Sequence, residues 1–113
     1  MESYRTQAVL WIAQRASAVV LAVCVTVHLF TIIHAVRGGL TAAEILERTR
    51  GNAGWLAFYT LFVLAVTVHV PVGLRAVCTE WLCWRGRSRD VVLLLFAGLL
   101  AFAGMRAVLG VFA

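Results

Sequence analysis

The stretch Ala16–Val36, ASAVVLAVCVTVHLFTIIHAV, contains no Asp, Glu, Lys or Arg. Helix of roughly 20 apolar residues crosses a hydrocarbon core of about 30 Å. The apolar run reaches back to about residue 8, with Gln14 and Arg15 near its start. Two further runs have the same character, 55–77 with no charge before Arg75, and 91–112 interrupted by Arg106. The 113 residues are 63% hydrophobic and 13% charged, with a mean hydropathy of +0.95. Soluble domains have about 45–50% apolar and about 25% charged residues, so an ordinary soluble domain is excluded. Disorder requires the opposite composition. The sequence predicts an all-α membrane protein: a single transmembrane domain of three transmembrane helices, part of a heteromeric helix bundle.

The connections carry local signals. Gly38-Gly39 stops the first span, and Thr41-Ala42-Ala43-Glu44 has the capping-box pattern, which predicts a short surface helix over about 42–50. Trp55 and Tyr59 suit an interfacial helix end. The connection from Glu80 to Asp90 mixes Trp81 and Trp84 with Arg85, Arg87 and Arg89, a boundary composition. No cleavable signal or transit segment stands out, which points to a prokaryotic inner (cytoplasmic) membrane, or to a mature chain whose start has been reset.

All ten basic residues are arginines, and the formal net charge is +5. They sit at the ends of apolar runs rather than on one basic surface, which argues against nucleic acid as a partner and for membrane lipid. Arg5, Arg15, Arg75, Arg85, Arg87 and Arg89 fall on one side of the membrane; Arg37, Arg48, Arg50 and Arg106 fall on the other. The richer side is expected inside, placing the N-terminus inside and the C-terminus outside.

Polar groups at membrane depth are costly and often mark function. His69 lies in Val68-His69-Val70-Pro71-Val72-Gly73-Leu74-Arg75. Helical spacing puts Ala65, His69, Gly73 and Ala76 on one face. Small residues one turn either side of a histidine leave a flat recess, the shape a porphyrin needs beside its axial ligand. They equally permit close helix packing, with His69 bonded to a neighbour. Pro71 is expected to kink the helix. Arg75, further along, has the reach for a haem propionate or for lipid headgroups.

His28 shares a face with Ser17, Leu21, Cys24 and Ala35, and the same two readings stand, ligand or packed core histidine. His34 lies nearer the boundary and needs no functional reading, and Arg106 reads as an end anchor. Measured from Arg15 and Arg75, His28 is roughly 20 Å deep and His69 roughly 9 Å. Two axial nitrogens on one metal lie about 4 Å apart, by analogy with zinc–imidazole bonds. As ligands on regular helices, the two histidines would therefore need separate haems, each with its opposite ligand from another chain.

Near the start of span one, Gln14, Arg15 and Ser17 read as a polar cluster with Trp11 as an apolar wall, suited to a quinone carbonyl. Cys24, Cys78 and Cys83 form no CxxC and no iron–sulfur set. There is no phosphate loop, nucleophile–base pair or carboxylate pair, so no catalytic residue is expected in this chain.

Two motifs and the three-span layout resemble a known family, the cytochrome b membrane-anchor subunit of succinate dehydrogenase and fumarate reductase. Gln14-Arg15-Ala16-Ser17-Ala18 resembles the family's His-Arg-x-Ser-Gly, and His69-x-x-x-Gly73-Leu74-Arg75 resembles His-x-x-x-Gly-Ile-Arg. The resemblance implies that His69 is the axial ligand of the haem b nearer the iron–sulfur subunit, with Gly73 and Arg75 at that haem. It implies that Arg15, Ser17 and Trp11 stand at the quinone site. His28 resembles the first-helix histidine of two-haem members, ligand of the haem nearer the outer face. The implied partners are a second membrane-anchor subunit, an iron–sulfur subunit and a flavoprotein subunit. Gln14, Ala18, Trp11 and Ala76 depart from the pattern of single-haem, ubiquinone-linked members. With His28 they suit a two-haem, menaquinone-linked complex, with ubiquinone the alternative. A single-haem member, a non-redox scaffold or assembly subunit, and a b-type subunit of another oxidoreductase are the rival readings.

Overall fold

Ser3 opens the first helix: its hydroxyl accepts from the Thr6 N–H at 3.1 Å, satisfying one of the donors that a helix start leaves free. The structure, a computed structural model, describes residues 3–113. Helix α1 spans Tyr4–Gly38. It begins ahead of the apolar run because the cap decides where a helix starts, whereas apolarity marks only where lipid is met. It ends at the expected glycines. Gly39 has φ 125°, and a Cβ there would collide with the Glu44 carboxylate, so the turn requires glycine.

Helix α2 covers Ala42–Thr49. The expected capping box is present: Glu44 N–H donates to Thr41 Oγ1 and Thr41 N–H to Glu44 Oε2, both at 3.2 Å. Helix α3 covers Ala53–Glu80. The Asn52 side chain caps it, accepting from Gly54 N–H at 3.0 Å and Trp55 N–H at 3.2 Å. Pro71 lies inside α3, and helix continues on both sides of it. Helix α4 covers Arg87–Phe112. Three of these helices are long and apolar enough to cross a membrane, and there is no strand among the described residues.

α3 packs against both α1 and α4, while α2 lies on the end of α4. The bundle is a rod of 53 × 24 × 23 Å. Small residues set the approach: a Cβ at Gly104 of α4 would meet Val63 of α3 at 2.7 Å, so only glycine permits this crossing. The interior is thin. Ser17, Cys24, Ala65, Cys78, Leu93, Val108 and Arg89 are the buried residues among those described, while Phe30, Leu94, Leu95 and Phe102 are exposed on outward faces. Such faces belong against lipid or other helices.

Both ends of the rod are tied. At the Arg75 end, Arg89 is buried. Its Nε and one terminal nitrogen donate to Asp90 Oδ1 at 2.9 and 2.8 Å, and its other terminal nitrogen to Thr79 Oγ1 at 2.6 Å. Arg75 Nε lies 3.8 Å from the same carboxylate oxygen. At the α2 end, Thr49 Oγ1 donates to Val111 O at 2.7 Å, Gly51 N–H to Phe112 O at 2.8 Å, and Arg50 Nε to Ala113 O at 3.1 Å. These bonds take up carbonyls that the end of α4 would otherwise leave unpaired.

Candidate functional site

α1 and α3 run antiparallel, and their facing residues are the ones the sequence singles out. Gln14 lies against Gly73, Ser17 against His69, and His28 against Tyr59 and Phe62.

Ser17 Oγ donates to the Gln14 carbonyl at 3.1 Å, a common bond for serine inside a helix. Its lone pairs are then turned to His69 Nδ1, 3.4 Å away. With its hydrogen so used, Ser17 accepts from His69 Nδ1–H in the tautomer that carries its lone pair on Nε2. At the other level, His28 Nδ1 lies 3.2 Å from the Tyr59 hydroxyl. The His28 ring meets Tyr59 and Phe62 edge-on at 5.7 Å. Thr31 Oγ1 donates to the His28 carbonyl at 2.7 Å. Tyr59 is held in turn by Trp55, stacked at 5.7 Å, and by Phe58, edge-on at 5.0 Å.

Because Tyr59 marks the level of His28, the ten residues from Tyr59 to His69 separate the two histidines by about 15 Å along α3. One metal atom does not span that gap. Two cavities meet at His28. One, of about 470 Å³, lies between α1, α2 and the start of α3, with Thr31, His34, Arg48 and Trp55 on its wall. The other, of about 630 Å³, reaches α4, where Ala103, Gly104 and Ala107 leave room. Both lie in the range of about 300–1,000 Å³ usual for ligand pockets. A third cavity, of about 670 Å³ at the Arg75 end, is lined by Gln7, Arg75, Thr79, Arg85, Arg87, Arg89 and Asp90.

Two expectations about neighbourhood change. Gln14, Arg15, Ser17 and Trp11 do not form one pocket within the chain. Ser17 is buried against α3, but Arg15, about 200° away around the helix, is exposed with its guanidinium 5.4 Å from the centre of the exposed Trp11 ring. The recess read beside His69 is also covered on one side by α1: a Cβ at Gly73 would stand 3.2 Å from Gln14 Nε2. The small residues there bring two helices of the same chain together. Gln14 Oε1 is buried with no partner among the described residues.

In the sequence Tyr59 reads only as an interfacial aromatic. The available signal was register: once Ser17 faces His69 in an antiparallel pair, the helix rise puts His28 opposite residues near 58–59. No group of three His, Cys, Asp or Glu among the described residues converges to hold an ion.

The comparisons add the family. Residues 1–108 match the family of the succinate dehydrogenase/fumarate reductase transmembrane subunit. No curated protein and no solved structure matches the chain. With nearly the whole length matched, and three helices able to cross a membrane, the chain belongs to the transmembrane subunits of succinate dehydrogenase and fumarate reductase.

Proposed function

We propose that the chain is a haem b-binding anchor of the two-haem type, with His69 and His28 as axial ligands to separate haems shared with a second anchor subunit. One observation carries this reading. Both histidines lie on the α1–α3 seam at different levels, and each ring has its Nδ1 engaged by a hydroxyl of the facing helix. Ligating histidines ordinarily have their second nitrogen held in this way, which sets tautomer and ring orientation. The residues around His28 fit a planar apolar group, since two cavities adjoin it and α4 lines one of them with apolar side chains, the small Ala103, Gly104 and Ala107 among them. At His69 the group has to approach from the side away from Gln14, where a partner helix completes the site.

Bound haem supplies one-electron transfer between the iron–sulfur subunit and membrane quinone. The chain's own residues hold and orient the ligands, exclude water and provide charge. Arg75 stands on the N-terminal side of the membrane with Arg85, Arg87 and Arg89, where propionates and the soluble subunits are met. Arg15 and Trp11 face outward as a stacked pair, a polar and aromatic wall for a menaquinone or ubiquinone pocket closed by the second anchor subunit. Ser17 serves His69 in place of the quinone. The setting is a prokaryotic cytoplasmic membrane.

The test is haem content of the purified complex by pyridine haemochrome assay. Wild type gives two haems per chain, and His28→Ala and His69→Ala each give one. If wild type and His28→Ala both give one, His28 is a packed core residue and the two-haem reading fails. A complex that gives no haemochrome overturns haem binding altogether in favour of a scaffold subunit.

A further inference from the structure

Tyr59 has no role in the family motifs, yet it is the residue best placed to act on His28. Its hydroxyl oxygen lies 3.2 Å from His28 Nδ1, and the ring is held on two sides by Trp55 and Phe58. An imidazole that ligates through Nε2 keeps its proton on Nδ1. In that state Nδ1–H donates and the phenol oxygen accepts. An acceptor on the second nitrogen raises the basicity of the ligating one, and a more basic ligand favours the ferric over the ferrous state.

We propose that Tyr59 is the positioning residue of His28: it fixes the ring's tautomer and orientation and lowers the midpoint potential of the haem that His28 ligates. The inference rests on the reading of His28 as a ligand. Ser17 occupies the corresponding place at His69. The two hydroxyls act on rings about 15 Å apart along the helix axis, so each sets one potential without setting the other. A phenol hydroxyl is a poorer acceptor than an alkyl hydroxyl, so the two positions also differ in strength.

The experiment is a spectroscopic redox titration of the purified complex carrying Tyr59→Phe, with electron paramagnetic resonance of the ferric haems. Phenylalanine keeps the ring on which Trp55, Phe58 and His28 pack. The expected result is an unchanged haem content, an upward shift of one midpoint potential with the other unmoved, and altered g-values for the same haem. Ser17→Ala shifts the other haem alone. Fluorotyrosine at position 59 keeps the shape and weakens the acceptor, and it gives a smaller shift of the same sign even should the phenylalanine variant fail to assemble. Potentials that stay put, or that move together, overturn the assignment. His28→Ala distinguishes the two failures. If it retains both haems, the ligand reading itself is wrong. If it loses one haem while the potentials ignore Tyr59, only the role of Tyr59 falls.

Discussion

Gly104 has no room for a side chain, because a Cβ would lie 2.7 Å from one Val63 methyl carbon and 2.9 Å from the other. Gly104→Ala therefore overpacks the α3–α4 crossing and is expected to cost about 1–3 kcal/mol, read as a lower midpoint of thermal unfolding in detergent. Val63→Ala in the same chain relieves the clash and recovers most of the loss; a double variant as unstable as the single one would place the cause elsewhere. The same scale shows what sequence could and could not convey about the site. The faces holding Ser17, Cys24 and His28, and Ala65, His69 and Gly73, follow from helical periodicity. That these faces meet each other does not, because small residues admit a neighbouring helix and a flat cofactor equally well. Gln14, Arg15 and Ser17 read as a cluster because they are close in sequence, but rotation about the helix sends Arg15 outward and Ser17 inward.

At the level of the elements, the ends were legible where side chains make them. Thr41 and Glu44 announce α2, and the reciprocal bonds at 3.2 Å are there. Ser3 gives no comparable signal as a cap, because the apolar run starts several residues later. Thr41→Ala removes the acceptor for Glu44 N–H and is expected to cost about 1 kcal/mol locally. Faster hydrogen exchange over 42–49, with α1 unaffected, is the predicted signature. Exchange unchanged in α2 would mean that its contact with α4, rather than its cap, holds it. Since Ile45 and Thr49 wall both cavities at His28, loosening α2 also opens that level to water.

For the molecule as a whole, the three-span layout is readable from composition, whereas the partner is not. The outward faces carry Leu94 at 74% and Phe102 at 65% exposure, and the same apolar surface serves lipid and a second anchor subunit. Orientation is open to a direct check. With the N-terminus inside, a membrane-impermeant maleimide leaves the exposed Cys83 unlabelled in intact cells and labels it after permeabilisation. An Ala43→Cys variant, on the exposed side of α2, reacts without permeabilisation, and the reverse pattern inverts the topology. The bonds from Thr49, Arg50 and Gly51 to the carbonyls of Val111, Ala113 and Phe112 have a bearing on biogenesis. In the order of synthesis α4 follows α2 and α3, so the seam on that side of the bilayer stays unsewn until the last turn of α4 has been made. Until then α2, whose Ile45 and Thr49 wall both cavities at His28, is not yet fastened over that level.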